Sequence, residues 1–407
     1  MVMSDYSIFS VLGLEIEYML VDKTSLNVQP KVDVVLEQLA GELVNEVILG
    51  EIAISNELVM HAIELKTHDP MPLNTDLASL FHSTLLSLIP LLDKHDIQLL
   101  PTGAHPWMNP WLETKRWPHG DKKIYDTYDA IFDCRGHGWS NLQSMHVNLP
   151  FANDEEFCHL HSLIRLILPL IPALAASTPL LDGKRTGRLD SRLHFYNTNQ
   201  QCIPEISGNV IPEFVRSRDE YEDMILKPMY RAIHAFDPER VLQEEWLNSR
   251  AAIPKFERMS IEIRITDTQE CAIADIAIAK AIYYILKNWY ETSDIHIKKP
   301  CSTQILRSVY DQTIEKGFAT VVDDSRLLAS WNLPKRTLNV REIWSMLLER
   351  VAPNLDDASQ HAIEHILRHG NLSERILRAC SGAMNQEAMQ RVYRELGDAL
   401  LENRQYL

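Results

Sequence analysis

Glycine is scarce in this chain, 14 residues in 407, against a usual share of about 7%. Neither GxxxxGK[ST] nor GxGxxG occurs, so the usual glycine-rich phosphate cradles are excluded. Any nucleotide must be held by metal and side chains. Cysteine is also sparse, with six residues at 134, 158, 202, 271, 301 and 380 and no CxxC pair. That scatter reads as free thiols in a reducing cytoplasm. Positive charge is in deficit, 40 Lys and Arg against 56 Asp and Glu, for a formal net charge of −16. The balance excludes nucleic acid as a main partner and argues against anionic membranes, since both need basic surface. An anionic nucleotide is still accommodated where divalent metal and a few arginines invert the local field.

Long apolar runs are missing apart from residues 163–181, which are interrupted by Arg165, Pro169, Pro172 and Pro179. The breaks disfavour a membrane span and predict a buried, proline-kinked helix. The first dozen residues have no basic n-region and no long apolar core, so no signal peptide is expected. Repeats and low-complexity tracts are absent. What remains is ordinary for a globular protein, 45% apolar and 24% charged, and long enough for two or three domains.

Strand-like runs cover residues 9–21, 62–67, 97–102, 142–149 and 259–266. Helix-like runs cover 32–43, 73–94, 155–176, 219–236 and 272–289, with Asn74 or Thr75 capping the second and Asp154 the third. After about residue 295 the strand signals fade, leaving helical stretches at 340–350, 357–369 and 385–403. Positions such as Ile363, Ile366 and Leu367 suit an amphipathic helix packed on a neighbour. Residues 291–303, with Lys298, Lys299 and Pro300, read as a joint. Strands scattered among long helices predict an α+β fold with a mostly antiparallel sheet covered by helices. Residues 1–294 form the expected catalytic domain and 295–407 a helical C-terminal region packed on it.

Four segments carry carboxylates or histidine in a pattern that suits metal. Glu15 and Glu17 alternate with apolar residues, as do Glu262 and Arg264, the mark of a half-buried strand. Alternation puts each pair on one face. Two neighbouring carboxylates repel by up to roughly 1 kcal/mol, so a cation such as Mg²⁺ or Mn²⁺ belongs over them. Glu57 and Glu64 straddle a turn and a strand, and in residues 142–148 Ser144, His146 and Asn148 point one way. Oxygen-rich shells with one imidazole suit either metal. Each motif alone also fits a solvated strand face, a structural histidine or a salt-bridge ladder. His61, His68 and His105 have no independent claim as ligands, and His159 and His161 fit a helix start.

In order, the segments GLEIEY (13–18), ELVMHAIELKT (57–67), GAHP (103–106), QSMHVN (143–148), AASTPLLDGKRTG (175–187) with Ser191-Arg192, and SIEIRITDT (260–268) resemble the carboxylate–amine ligases. These are the glutamate–cysteine ligase type 2 enzymes, which share the glutamine-synthetase catalytic fold. The likeness spans about residues 10–290. It implies a sheet curved into a funnel and an ATP-dependent ligase that activates a carboxylate as an acyl phosphate for attack by an amine. Glu15 would share one Mg²⁺ or Mn²⁺ with His146 and Glu262, and Glu17 another with Glu57 and Glu64. Arg264 would meet the transferring phosphate or a substrate carboxylate, and Arg192 is similar to a family arginine. Lys184, Arg185 and Arg188 form a basic run that serves either as substrate-loop cations binding the nucleotide or as surface charge. Small-molecule amino-acid and amine partners and a homodimer follow from the same likeness, and the cysteine pattern makes the expected location cytoplasmic.

The chain departs from that pattern at three places. Relatives often have His at Ser144, Gly at Asn148, and Gly-Thr at Ser260-Ile261. These changes leave the metal ligands in place and open the substrate question. Two other classes compete, a non-catalytic nucleotide- or amino-acid-binding relative and a phosphagen-kinase-like phosphotransferase. The intact ligand set weighs against the first. The second needs a nucleotide site built mainly of arginines, and no such run occurs.

Overall fold

The alternating run near the amino terminus becomes the centre of one sheet. In a computed structural model describing residues 6–120, 122–292, 295–381 and 385–407, that run is β1 (Gly13–Asp22). The other strands are β2 (Glu46–Leu49), β3 (Ile52–Asn56), β4 (Ala62–Thr67), β5 (Ile97–Leu100), β6 (Ser144–Pro150), β7 (Ala252–Lys255) and β8 (Ser260–Asp267). Their spatial order is β2-β3-β4-β1-β6-β8-β7, with β5 pairing the last four residues of β1. Every pairing is antiparallel. The fold is therefore the expected α+β class with an open antiparallel sheet.

One face of the sheet is apolar. Leu14, Ile16, Tyr18 and Leu20 of β1 join Val147, Leu149, Ile261 and Ile263 in the main core. Helices α1 (Leu77–Asp93), α3 (Asp154–Ile167) and α5 (Ala272–Thr292) cover it, with α2 (Lys122–Phe132) and α4 (Ser191–Tyr196) on the chain between them. Residues 163–175 of the apolar run form the expected kinked helix, and the run ends as a short strand at Leu180–Leu181. α3 tightens into a 3₁₀ turn at Leu168–Leu170 and resumes as Ile171–Ala175, with Pro169 and Pro172 at the junctions and every residue of these two turns buried. The segment Asp154–Ala175 is long and apolar enough to cross a membrane, but 94% of its most apolar stretch is buried inside the protein. Its hydropathy is that of a core helix.

Local chemistry moved several expected boundaries. Asp76 caps α1 by accepting from Ser79 N at 3.1 Å, where Asn74 or Thr75 was expected. Asn153 caps α3, accepting from Glu156 N, and Asp154 falls in the first turn beside the positive helix end. The expected helix over 32–43 runs from Val32 and stops at Ala40 because Gly41 adopts a left-handed conformation at φ 81°. The expected helix over 219–236 forms as a continuous run from Arg218 to Ile233, widened into a π turn at Glu222–Leu226 ahead of Pro228, which lacks the N–H that a regular ladder needs.

The strands β2, β3 and β7 were not anticipated. All are four or five residues long, and Pro254 sits inside β7. Beyond residue 295 the chain is mostly helical, with one short ribbon of Val321–Val322 and Leu338–Asn339. Part of the expected joint, residues 293–294, lies outside the described residues. Helices α6 (Leu372–Ala379) and α7 (Gln386–Glu402) pack their Leu372, Ile376, Val392 and Tyr393 against Met19 and Val21 of β1.

Candidate active site

Register places the site. Across the sheet Glu17 lies opposite Glu64, Glu15 opposite His146, and Asn148 opposite Glu262. Residues directly opposite share a face, so three strand pairings gather four carboxylates and an imidazole on one side of the sheet. The alternation of β1 continues with Met19 and Val21, which α6 and α7 cover. The carboxylate half stays open to a cavity of about 300 Å³ lined by Glu15, Glu17, Glu57, Glu64, His146, Arg192, Lys255, Glu262 and Arg264.

Two triads have ligand atoms within 4.8 Å of one another, Glu15–His146–Glu262 and Glu17–Glu64–His146. The first is the grouping expected from sequence. In the second His146 stands where Glu57 was expected. Glu57 follows β3 and lines the same cavity, where its charge faces Glu64 and Glu17.

Hydrogen bonds fix these side chains. His146 Nδ1 lies 3.0 Å from Glu15 Oε2, and its Nε2 lies 2.9 Å from Ser144 Oγ. Ser144 N donates to Glu17 Oε2 at 2.8 Å, and Asn148 Nδ2 donates to Glu15 Oε1 at 3.1 Å. Ser144 and Asn148, the positions that depart from the family pattern, therefore orient the carboxylates of β1. Ser55 Oγ and Lys66 Nζ hold Glu64 Oε1 at 2.8 and 2.9 Å.

A bulge shapes the β8 side. Ile263 lies opposite Val147 and Thr266 opposite Met145, so Arg264 and Ile265 together face His146. A bulge re-aims side chains and flips the alternation beyond it. Arg264 points to the cavity, its Nε 3.0 Å from Glu262 Oε1 without hydrogen-bond alignment and its Nη1 3.3 Å from Asn248 O. Past the bulge Asp267, not Thr266, comes opposite Ser144. Asp267 Oδ1 accepts from Arg192 Nε at 2.5 Å, a pair only 1% and 0% exposed. Thr178 Oγ1 and Ser177 N complete the Asp267 shell at 3.0 and 2.9 Å. Arg192 belongs to α4 (Ser191–Tyr196), capped by Asp190.

Charge divides the site in two. Burial alone would raise the Glu15 and Glu262 carboxyls, but the Lys255 ammonium, with His146 and Arg264, holds both below the usual range. Glu17 and Glu57 go the other way. Burial pushes both up, and the Glu64 carboxylate adds to it. Buried carboxylates that resist ionisation alone are the environment a divalent cation satisfies. The oxygen-rich donor set with one imidazole fits Mg²⁺ or Mn²⁺.

Sequence reasoning missed Lys255 and Lys66, which pair with Glu262 and Glu64 of the two triads. Lys255 is brought in by the β7–β8 hairpin, which no strand signal announced. Also missed was the aromatic wall. Tyr125 and Tyr128 come from α2 (Lys122–Phe132), with Trp139 and Trp246 beside them. The Tyr128 ring lies 5.2 Å from Trp139 and 5.9 Å from Trp246. Its only trace in the sequence is the aromatic spacing of residues 125–139. Lys184 and Arg185 lie in an exposed hairpin, and neither they nor Arg188 line the cavity. His61 and His105 are buried and bond the carbonyls of Ser140 and Leu26. His159 and His161 lie within α3.

In fold the chain is similar to the glutamate–cysteine ligase of Francisella tularensis solved with AMP, at a TM-score of 0.64 and 12% identity over 98% of this chain and 90% of that one. It is also similar to a bifunctional glutathione synthetase of Pasteurella multocida, TM-score 0.61 and 13% identical, covering 95% of this chain and 52% of that one. These likenesses define the class of fold. The chain belongs to glutamate–cysteine ligase family 2, whose sequence profile matches residues 11–395. An uncharacterized protein of Archaeoglobus fulgidus is 37% identical over 277 residues, 68% of this chain and 74% of that one.

Proposed function

We propose that the chain is an ATP-dependent ligase that joins an amino-acid carboxylate to an amine through an acyl phosphate. The observation that carries this reading is the pair of triads sharing His146, with Arg264 beside them on the same sheet face. Glu15, His146 and Glu262 would hold one divalent cation, and Glu17, Glu57 and Glu64, next to His146, a second. Bound metal would neutralise phosphate oxygens and so lower the barrier to bringing two anions together.

The chain's own residues supply the rest. Ser144 and Asn148 fix the carboxylates of β1. Arg264 offers a planar cation to the transferring phosphoryl group as the substrate carboxylate oxygen attacks the γ-phosphorus and ADP leaves. Arg192, immobilised by Asp267, sets a fixed positive charge near Glu17. The aromatic wall narrows access for water, which would otherwise compete with the amine for the acyl phosphate. Attack by the amine nitrogen then releases phosphate and leaves the new C–N bond. Fixed positions of this kind lower the entropic cost of both steps.

The test is a screen of amino-acid and amine pairs for Mg·ATP-dependent phosphate release, with mass detection of the product. A conjugate lighter by one water than the two substrates together supports the ligase. A phosphorylated amine in its place, or ATP binding without turnover across the panel, refutes it.

A further inference from the structure

Each triad has a lysine on one of its carboxylates, and the two lysines are held differently. Lys66 Nζ binds Glu64 Oε1 at 2.9 Å, but also Glu46 Oε2 at 2.9 Å and Ser55 Oγ at 3.0 Å. Glu46 lies outside both triads, so Lys66 keeps a carboxylate partner if Glu64 turns to a metal. Lys255 has no such anchor. Among the described residues its only ion-pair partner is Glu262, through Oε2, and that carboxylate is 1% exposed. Its next strongest attraction is to Glu15, also of the first triad. The other Glu262 oxygen faces Arg264. Both oxygens of this carboxylate thus face cations supplied by the chain itself.

A divalent ion needs a carboxylate oxygen at about 2.0–2.1 Å. An ammonium bonded to that oxygen and a metal on it exclude each other, because like charges at such distances repel strongly away from bulk water. The 18% exposed Lys255 side chain has a flexible stem and room to swing toward the cavity it lines. We propose that Lys255 is a built-in counter-ion of the Glu15–His146–Glu262 site, which the metal must displace from Glu262 in order to bind. Lys255 therefore sets the metal affinity of this site and leaves the Glu17–Glu64 site unaffected. Once expelled, its ammonium stands in the cavity as a free cation for the anionic phosphates. This inference rests on the metal-binding part of the proposed function.

The test is Mn²⁺ binding without nucleotide, followed by electron paramagnetic resonance of free Mn²⁺, for the wild type, Lys255→Met, Lys255→Gln and Lys255→Arg. Both neutral variants should bind one of two Mn²⁺ ions about tenfold tighter or more, with the second ion unchanged and Lys255→Arg close to wild type. Thermal melts in EDTA establish that each variant is folded. If one neutral variant fails to fold, the other decides. Unchanged or weaker Mn²⁺ binding in the folded neutral variants overturns the counter-ion role while the metal site stands. No Mn²⁺ binding by any protein, wild type included, overturns the metal site and this inference with it.

Discussion

At the scale of single residues, Arg264 makes the clearest distinction between a ligase and a nucleotide binder. It sits two residues after Glu262, on the same side of β8, next to a triad that suits metal. An interaction made mainly in the transition state lowers kcat and kcat/KM together when it is lost. Arg264→Lys should bind Mg·ATP nearly as wild type but lose roughly 10²-fold in kcat, the size seen for key electrostatic donors. Lysine keeps the charge beside Glu262 without the planar fork. Steady-state kinetics on the conjugating pair, with nucleotide binding measured separately, decide the matter. Near-wild-type turnover would leave Arg264 as an ion-pair partner alone.

At the scale of elements, the long strands were legible and the short ones were not. β1, β4 and β8 carry an alternating face over six to ten residues, which is enough for periodicity to speak, so Glu15, Glu17, Glu64 and Glu262 are legible in the sequence as residues of strand faces. β2, β3 and β7 are too short, and Lys255 stayed hidden with β7. The bulge in β8 is also invisible to a period-two pattern, which would carry Thr266 to the side of Glu262 where register puts Asp267. Helix α2, with no buried residue, falls outside the helix-like runs of the sequence although it builds the aromatic wall.

α3 carries a prediction of its own. His161 is buried between Phe157 and Tyr221 with both ring nitrogens unpartnered. Burial, helped by the charges of Arg165 and Arg250, lowers its pKa to about 3. A histidine in an unfolded chain titrates near 6.5. The folded state thus takes up this proton far less readily, and the stability held above pH 6.5 is lost as pH falls from there toward 3. His161→Leu should therefore lose about 2 kcal/mol less than wild type between pH 7.5 and pH 4.5, read from urea unfolding at the two values. An equal loss in both proteins would show that His161 does not resist its proton.

At the scale of the molecule, the site is assembled from β1, β4, β6 and β8, so a ligand that bridges both triads bridges most of the sheet. Ligands that bind only the native state raise its stability by mass action, by about 2.7 kcal/mol at a hundredfold excess over Kd. Mg·ATP should raise the melting temperature clearly, and ATP with EDTA much less. Equal shifts in scanning calorimetry would mean that the nucleotide is held without metal. The C-terminal region contributes by closing one end of the same face, where α6 and α7 lie on Met19 and Val21.

The position of β8 also has a consequence for synthesis. β6 is complete at Pro150, yet the strand that pairs its outer side begins at Ser260. At translation rates of about 5–20 residues per second, the gap lasts on the order of ten seconds. Throughout that interval the N–H and C=O groups on that side of β6 have no partner, a template for pairing with another nascent chain. Contacts this distant in sequence also form slowly once the chain is free. The strand order that brings Glu262 beside His146 thus leaves the newborn chain exposed to aggregation while β6 waits for its partner.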